Sequence, residues 1–495
     1  MKKAKIFADK NMQIGKVESK MFGSFIEHLG RAVYEGIYEP GHPAADENGF
    51  RKDVISLINE LGVPIVRYPG GNFVSGYNWL DGIGKKENRP TRLDYAWRTI
   101  ETNQFGTDEF MKWCEEANVE PMMAVNMGTG APQDAGYLVE YCNHPSGTYY
   151  SELRKANGSE KPYKVKYWCL GNEMDGPWQI CHLEAIDYSK KALETAKIIR
   201  WVDNRVKLIA CGSSSAELPS YPDWDRIILE NLYDYVDYLS IHQYYWNEGC
   251  DEDFYASYKR MDEFIKTAIA TCDFVKAKKR SNKTIYLSFD EWNVWYLKDV
   301  KLEDWTQAPH ILEDKYTLQD AIVFGGLMNT LLNNCHRIKI ACLAQLVNVI
   351  APIFTQKGGA AIRQTTFYPF KYVSQYGRGQ ALMTISECDE FDSKFGKVKE
   401  LSQSVIFDED ANSLAVFVCN YSQDAIEAEI ELRSFGDLEI IEHVVLDGAD
   451  LKAINDFENP SRVTPKNVDL GAIKDSKAFI NLSPLSWNMI RVKIK

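Results

Sequence analysis

The chain has 495 residues, of which 45% are apolar and 26% are charged; this composition is typical of a soluble globular protein, and the length predicts two or three domains. The formal net charge is −13, which makes nucleic acids and anionic membrane surfaces poor partners. We therefore expect no nucleic acid and no membrane among the partners.

The N-terminus and the cysteines predict a cytoplasmic protein. Two lysines follow Met1, but no apolar stretch of signal-peptide length comes after them. No later stretch approaches the length of a membrane span. The 11 cysteines are scattered and include no CxxC pair, a pattern typical of reduced thiols rather than of a disulfide framework.

Apolar, β-rich stretches recur along the first two thirds of the chain. They cover residues 21–30, 63–72, 119–128, 165–173, 206–214, 237–245, 285–293 and 338–348. Their apolar residues are nearly continuous, which is typical of strands that are covered on both faces. These stretches predict eight buried strands.

Helical patterns lie between the strands, at residues 51–62, 106–119, 183–202 and 314–334. In the first helix, Gly62 is the expected C-cap. In the second, Thr107 is the predicted N-cap. Eight strands with intervening helices predict an α/β fold, a (β/α)8 TIM barrel, and a doubly wound open sheet is the alternative.

The pattern changes after residue 384. Strands separated by turns are predicted at residues 414–422, 425–435, 438–448 and 487–495. Within the second of these, apolar and polar residues alternate, as in a half-buried antiparallel sheet. We predict a barrel domain at residues 17–384 and a C-terminal antiparallel β-sandwich at 385–495, to which residues 1–16 add a strand.

Polar residues collect where the predicted barrel strands end, and active sites of (β/α)8 barrels lie at those ends. We call this edge of the barrel the rim. Its members are Glu27, His28, Gly70, Gly71, Asn72, Asn126, Asn172, Glu173, residues 242–245, residues 290–293 and Gln345. The rim therefore combines carboxylates, amides, imidazoles and aromatic rings.

Two glutamates stand out on the rim. Glu173 ends the fourth predicted strand and Glu291 ends the seventh, so closure of the barrel would bring them together. Two facing carboxylates are the groups used in glycoside hydrolysis, and a separation of about 5–5.5 Å gives retention of configuration. Each residue also has an ordinary interpretation, a salt bridge for Glu173 and a helix N-cap for Glu291, and only their coincidence on one rim favours catalysis.

The sequence predicts no metal and no cofactor. His28 and His242 are far apart, and no HxH or HExxH motif occurs, although a two-metal hydrolase is the alternative use of such groups. The glycine-containing stretch at residues 128–136 lacks the spacing of a phosphate-binding or dinucleotide-binding loop. A GxSxG nucleophile motif is absent as well.

Longer stretches resemble a known family. They are FGSFIEHLGRAVYEGIYEPGHP (22–43), VRYPGGNFVSGYNW (66–79), WRTIETNQFGTDEF (97–110), YWCLGNEMDGPWQ (167–179), SIHQYY (240–245), DEWNVWY (290–296) and ACLAQLVNVIAPI (341–353). They resemble glycoside hydrolase family 51, the α-L-arabinofuranosidases, whose catalytic glutamates lie on barrel strands four and seven. The resemblance extends from about residue 20 to residue 380.

The resemblance implies a role for each matching position. Glu173 would be the general acid/base and Glu291 the nucleophile. The residues that would hold the furanose are Glu27, Asn72, Asn172, Tyr244 and Gln345, and His242 would support the acid/base beside them. Tyr244 would also position the nucleophile. Trp97, Trp178 and Trp295 are candidate platforms for the sugar or for the leaving group.

The resemblance also implies the reaction and the partners. It predicts a retaining, exo-acting α-L-arabinofuranosidase that releases terminal residues from arabino-oligosaccharides, arabinan or arabinoxylan fragments, and a homo-oligomer, with a hexamer as one form. The alternatives are a glycosidase of the same fold that acts on another sugar, such as a β-xylosidase or an endo-β-glucanase, and a carbohydrate-binding protein without catalytic activity.

Overall fold

The computed structural model describes residues 1–296 and 305–495. Eight parallel strands, numbered 1 to 8 in chain order, close into a barrel. Strand 8 pairs with strand 1, and strand 6 pairs with strand 7. In chain order the barrel strands are Gly23–Phe25, Ile65–Tyr68, Glu120–Ala124, Tyr167–Leu170, Lys207–Ala210, Tyr238–Tyr245, Tyr286–Val294 and Ile338–Leu343. Each overlaps one predicted stretch, and the seventh extends beyond its stretch by one residue, Val294, so the TIM barrel is confirmed and the open sheet is wrong.

Helices surround the barrel strands. Their bounds are Lys52–Leu61, Thr107–Ala117, Pro132–Asn143, Tyr149–Ala156, Ala185–Val202, Asp223–Leu232, Asp251–Tyr255, Ser257–Lys278, Leu318–Asn333 and Phe367–Tyr376. All four predicted helices are present. Gly62 ends the first in the left-handed conformation, at φ 73°, as the C-cap prediction requires.

The predicted N-cap at Thr107 is wrong, because Thr107 is the first helical residue and Gly106 is the cap. The Gly106 N–H donates to the Glu109 carboxylate over 2.9 Å. A Cβ at position 106 would collide with the Gly82 carbonyl. Close approach of two backbones therefore places a glycine where the sequence pattern favoured threonine.

A second domain is built on one ten-stranded sheet. Across the sheet its strands are Lys466–Asn467, Leu438–Leu446, Ser486–Ile494, Ser413–Asn420, Leu401–Asp408, Gln380–Glu387, Lys2–Lys16, Ile426–Glu431, Lys477–Leu482 and Ala472–Lys474. All neighbours are antiparallel except Lys2–Lys16 and Ile426–Glu431. Strand Gln380–Glu387 spans the predicted domain boundary at residues 384 and 385, and that boundary stays a prediction.

The two halves of this sheet share one core. Ile6 of the N-terminal strand, Val416, Ile430, Ile480 and Ile490 belong to one buried apolar cluster. The sheet therefore curls around its own side chains. Three two-stranded hairpins complete the strands, namely Arg92–Asp94 with Thr99–Glu101, Ile353–Thr355 with Ala361–Arg363, and Glu390–Ser393 with Gly396–Lys399.

Helix Leu318–Asn333 joins the two domains. The Asn329 side chain donates to the Ser402 carbonyl of the sheet over 3.0 Å, and the Cys419 thiol donates to the Ile322 carbonyl over 3.4 Å. A Cβ at Gly325 would collide with Trp487. The helix is buried along nearly its whole length because the barrel covers one face and the sheet the other. Among residues 1–296 and 305–495, no helix combines the length and the apolar composition that crossing a bilayer requires.

Candidate active site

A cavity of about 560 Å³ opens at the rim of the barrel. The predicted site residues that line it are Glu27, Asn72, Glu173, Tyr244, Glu291 and Gln345, together with Trp97, Trp178 and Trp295. Asn172 and His242 are 1% and 2% exposed and lie behind the lining. A larger cavity of about 800 Å³ lies between the helices Ser257–Lys278 and Leu318–Asn333 and the sheet. The rim cavity is the candidate active site because the carboxylates converge there.

Glu291 is held by one cation and one hydroxyl group. Its Oε1 accepts a hydrogen bond from the Arg67 guanidinium over 2.7 Å, and its Oε2 accepts one from the Tyr244 hydroxyl over 2.8 Å. Burial raises the pKa of Glu291, whereas His242 opposes the rise, Glu173 adds to it, and Arg67 opposes it again. The two donors fix the carboxylate and favour its ionised form.

Glu173 lies just beyond strand 4, on a turn that the Gly176 N–H closes by donating to the Glu173 carbonyl over 2.8 Å. Its φ of 45° is left-handed, which is uncommon for a residue other than glycine. The Trp178 indole donates to its Oε2 over 2.6 Å, and His242 Nδ1 lies 3.0 Å from its Oε1. Trp178 is 49% exposed, so Glu173 lies on the open side of the cavity.

His242 connects three carboxylates. Strand pairing places it directly beside Glu291, and its Nδ1 lies 3.6 Å from Glu291 Oε2. Its Nε2 lies 3.3 Å from Asp290 Oδ1. Burial lowers the pKa of His242, but the charge of Glu291 and the hydrogen bonds to Asp290 and Glu173 outweigh it and raise the pKa to about 10. The ring is therefore protonated at neutral pH and donates from both nitrogens.

The two glutamates are close enough for retention of configuration. Oxygen atoms of Glu173 and Glu291 and a ring nitrogen of His242 all lie within 4.8 Å of one another. Retaining glycosidases hold their carboxyl groups about 5–5.5 Å apart, whereas inverting enzymes need about 6.5–9.5 Å. The same three groups are also a set that a metal ion can bind.

Glu27 lines the same cavity as Glu173. Its Oε1 accepts from the Phe73 N–H and from the Trp97 indole, each over 2.9 Å. Its Oε2 accepts from the Gln345 amide over 3.3 Å. Burial, only partly opposed by these donors, raises the pKa of Glu27 to about 8. A Cβ at Gly71 would collide with this carboxylate. Gly71 therefore allows the close approach of Glu27, in addition to any role in forming a turn.

Arg67 belongs to the site although the sequence predicted no role for it, and Asp290 was predicted only as a member of the rim. Arg67 is 1% exposed and also donates to Asn172 Oδ1 over 2.6 Å. Asp290 accepts from the Ser240 hydroxyl over 2.5 Å, and although burial opposes it, Arg67 and His242 hold the pKa of Asp290 below its usual range. An arginine inside an apolar strand was a signal for Arg67, since a buried cation needs an anionic partner.

Other members of the predicted rim face away from the cavity. His28 bonds to Glu101 and to the Tyr68 hydroxyl, each over 2.7 Å. The Asn126 amide donates to the Tyr77 carbonyl over 2.9 Å. Tyr245 is buried beside Arg260. These residues support the loops that carry the site.

The charges of the central cluster leave room for one proton. Glu173, Glu291 and Asp290 are its anions, and Arg67 and His242 are its cations. Complete ionisation of the three carboxyl groups would leave one uncompensated negative charge in a buried site, which is costly. One proton shared between the two facing glutamates removes that charge.

Comparison with known proteins identifies relatives of the whole chain. Residues 57–268 match the family model for the α-L-arabinofuranosidase 1 domain, and residues 290–486 match the model for the α-L-arabinofuranosidase C-terminal domain. An intracellular exo-α-(1→5)-L-arabinofuranosidase from Bacillus subtilis strain 168 is 52% identical over 100% of this chain and 99% of its own. An exo-α-(1→6)-L-arabinofuranosidase from Bifidobacterium longum is 44% identical over 100% of this chain and 98% of its own.

A solved structure agrees with these sequence matches. A family 51 α-L-arabinofuranosidase from Bifidobacterium longum superimposes with a TM-score of 0.95 at 41% identity, and the match covers 99% of both chains. The similarity therefore includes the barrel, the ten-stranded sheet and the loops that carry the cavity.

Proposed function

This chain belongs to glycoside hydrolase family 51, the α-L-arabinofuranosidases, and we propose that its rim cavity cleaves terminal α-L-arabinofuranosyl residues by double displacement through Glu291 and Glu173. The observation that carries this assignment is the convergence of the two carboxyl groups within 4.8 Å. The difference in their contacts assigns the roles, because Glu291 is held by Arg67 and Tyr244 while Glu173 faces the opening.

In the first step Glu291 attacks the anomeric carbon and the glycosidic C–O bond breaks. Glu173 gives its proton to the departing oxygen, so the leaving group departs as a neutral alcohol. Arg67 and Tyr244 hold the attacking carboxylate in place, which lowers the entropic cost of reaching the attack geometry. The product of this step is an ester between Glu291 and the sugar.

In the second step water attacks the anomeric carbon and the bond to Glu291 breaks. Glu173, now ionised, takes a proton from the attacking water. His242 donates to Glu173 and stabilises the ionised form that this step needs. Two inversions at one carbon give net retention.

The far wall of the cavity suits one furanose ring. We propose that Glu27, Asn72 and Gln345 bind its hydroxyl groups, supported by their position in the lining, and that Asn172 and His242 act from behind through Arg67 and Glu173. Trp97 donates to Glu27 and closes this wall. The relatives named exo-α-L-arabinofuranosidases support exo action.

The relatives' names support finer proposals about substrate and compartment. Both act on α-L-arabinofuranosyl linkages, (1→5) in one and (1→6) in the other, so we propose arabino-oligosaccharides as substrates. One is named intracellular, which supports a cytoplasmic location. We propose a homo-oligomer on the family resemblance alone, to be measured by light scattering of the purified protein.

The assignment of Glu173 can be tested through the leaving group. Departure of a sugar alkoxide needs a proton in the transition state, whereas departure of dinitrophenolate hardly does. Glu173→Ala should therefore lose about 10³-fold or more in kcat/KM on arabino-oligosaccharides and still form the glycosyl-enzyme from dinitrophenyl arabinofuranoside. Turnover would then stall, because no base activates water.

Azide provides the control for this test. A small anion can enter the space left by the carboxylate and attack without a general base, so it should restart turnover and give the α-arabinofuranosyl azide. Equal rate losses on both leaving groups without rescue, or a β-azide product, would remove Glu173 from the role. Aryl xylosides assayed beside aryl arabinofuranosides, with and without chelator, test the sugar specificity and the need for a metal.

A further inference from the structure

The turn that carries Glu173 is anchored by a second carboxylate, Asp175. Asp175 is 9% exposed, and its Oδ2 accepts a hydrogen bond from the Ser214 N–H over 2.9 Å. Its Oδ1 is buried and has no hydrogen-bond partner. Within residues 1–296 and 305–495, Asp175 forms no ion pair. An acid in this setting is costly for the fold, and none of the catalytic steps above uses it.

Asp175 closes a ring of contacts around the acid/base. From Asp175 the ring passes to Ser214 and its neighbour Ser213, whose carbonyl accepts from the His242 N–H over 3.1 Å. The His242 side chain then returns to Glu173 over 3.0 Å. Each contact fixes the next, so movement of Asp175 would change the distance between Glu173 and His242.

We propose that Asp175 is a positioning residue for the acid/base: it holds the turn that carries Glu173 and places a second buried carboxylate beside it. This inference rests on the function proposed above. A like charge nearby disfavours ionisation of a carboxyl group. The charge of Glu173 in turn acts on Asp175. Burial is the first cause that raises the pKa of Asp175, the charge of Glu173 is the second, and the resulting pKa is about 6.

The other groups around this pair set the background for the test. They are His242, Glu291, Asp290, Asp225, Cys211 and Tyr188. Burial raises the pKa of Cys211 and of Tyr188, so both are neutral in the working range. Among these six groups, Asp225 is the buried carboxylate that lies outside the catalytic cluster.

Asp225 offers a matched control. It is completely buried, and its Oδ1 accepts from the Ser213 N–H over 2.8 Å, so it anchors the residue next to Ser214. Its Oδ2 also has no partner. Burial and then the charge of Asp175 raise its pKa to about 7. It differs from Asp175 in lying on helix Asp223–Leu232 rather than on the turn of Glu173.

The test is the pH profile of kcat/KM for an arabino-oligosaccharide. Asp175→Asn retains one oxygen that can accept from Ser214 and replaces the other oxygen by an uncharged amide nitrogen, which removes the charge. The basic limb, which reports loss of the proton from the acid/base, should move to lower pH by about one unit. Asp225→Asn should move it by less than about a third of that. Dinitrophenyl arabinofuranoside, which needs little acid assistance in the first step, should show no such move in glycosyl-enzyme formation.

Two results would overturn the proposal. An unmoved basic limb in Asp175→Asn with an equal loss on both substrates would show a merely structural role, and equal shifts in both Asn variants would show a general effect of charge. If Asp175→Asn does not fold, Asp175→Ser supplies a second neutral replacement with the same expected shift. Failure of Glu173→Ala to discriminate between leaving groups would instead reject the proposed function itself.

Discussion

The barrel rim and the ten-stranded sheet use strands in opposite ways. Strand Ile426–Glu431 of the sheet alternates buried and half-buried residues along its length, and its polar side chains remain at the surface. Barrel strand 7, Tyr286–Val294, is buried from its second residue onward and still contains Asp290 and Glu291. The sheet therefore buries apolar side chains, whereas the rim buries charges that destabilise the fold unless they are paired.

This contrast separates stability from activity. Natural active sites commonly sacrifice stability for function, and the rim combines facing carboxylates with left-handed backbone at Glu173. If the contrast is correct, changes on the rim should act on the rate and changes in the sheet on the free energy of unfolding.

The largest effect is expected for Glu291→Ala. No glycosyl-enzyme can form without this carboxylate, so kcat should fall by about 10⁵-fold on every arabinofuranoside. The fold should be retained, because Glu173 and Asp290 still balance the charges of Arg67 and His242 when Glu291 is absent. The control is Glu429→Ala on the sheet, whose carboxylate is ion-paired with Lys477 at the surface. Turnover near wild type in Glu291→Ala would show that Glu291 is not the nucleophile. A kinetic defect in Glu429→Ala would contradict the separation of activity on the rim from stability in the sheet.

A smaller effect is expected from two buried arginines at opposite ends of the barrel. Arg67 contacts Glu291 and Asn172 on the rim, and Arg337 pairs with Asp273 just before strand 8 begins. Lysine keeps the charge but cannot reproduce the two-pronged geometry. Arg67→Lys should lower kcat/KM by about 10²-fold to 10³-fold with the fold retained, and Arg337→Lys should leave it unchanged. Steady-state kinetics and thermal melts of both variants test this difference. Equal losses of kcat/KM in the two variants would contradict a specific role of Arg67 in activity.

The sequence predicted the barrel well because its evidence was local and repeated. Each apolar stretch forms a strand by itself, and Glu173 and Glu291 are recognisable at strand ends. No role was predicted for Arg67, and none beyond rim membership for Asp290, because their roles depend on pairing across the barrel, which no local pattern encodes. The same reason explains Gly106, whose identity is set by Gly82 in another loop.

The sheet's strands show a related limit. Its order places Lys2–Lys16 between Gln380–Glu387 and Ile426–Glu431, so the first strand of the chain pairs with segments near its other end. Alternation predicted that the N-terminal strand could join the sheet. It could not predict a parallel neighbour, because the register of distant strands is decided by packing in the shared core.

The sheet itself provides the third test. Ile480 lies in the core shared by the two halves of the sheet, with its side chain fully buried. Ile480→Ala should lower the free energy of unfolding by about 3 kcal/mol, from lost apolar burial and the cavity that remains. Its kcat/KM below the melting temperature should equal that of the wild type. Urea unfolding and steady-state kinetics on the same preparation measure both quantities. A fall in kcat/KM together with the fall in stability would contradict the separation of activity on the rim from stability in the sheet.

The last effect is on the pH dependence of stability rather than on stability at one pH, and it comes from Glu27. Its pKa rises from the usual 4.5 to about 8 in the folded chain, chiefly by burial. Between these values the folded state holds a proton that the unfolded chain has released, so stability should fall as pH rises from about 5 to 8. Glu27→Gln is neutral throughout, and it should remove about 2–4 kcal/mol of this fall.

His242 adds a fall of the same sign, which must be separated from that of Glu27. Its pKa rises from 6.5 to about 10 on folding, so its stabilising contribution is complete below 6.5 and is lost as pH rises towards 10. Both Glu27→Gln and the wild type retain His242, and the difference between their urea-unfolding free energies at pH 5 and pH 8 therefore reports Glu27 alone. Glu429→Gln is the control, because Lys477 lowers rather than raises the pKa of Glu429 and its removal should not reduce the fall. Parallel curves for Glu27→Gln and the wild type would show that Glu27 is ionised in the folded protein at neutral pH, held so by Phe73, Trp97 and Gln345.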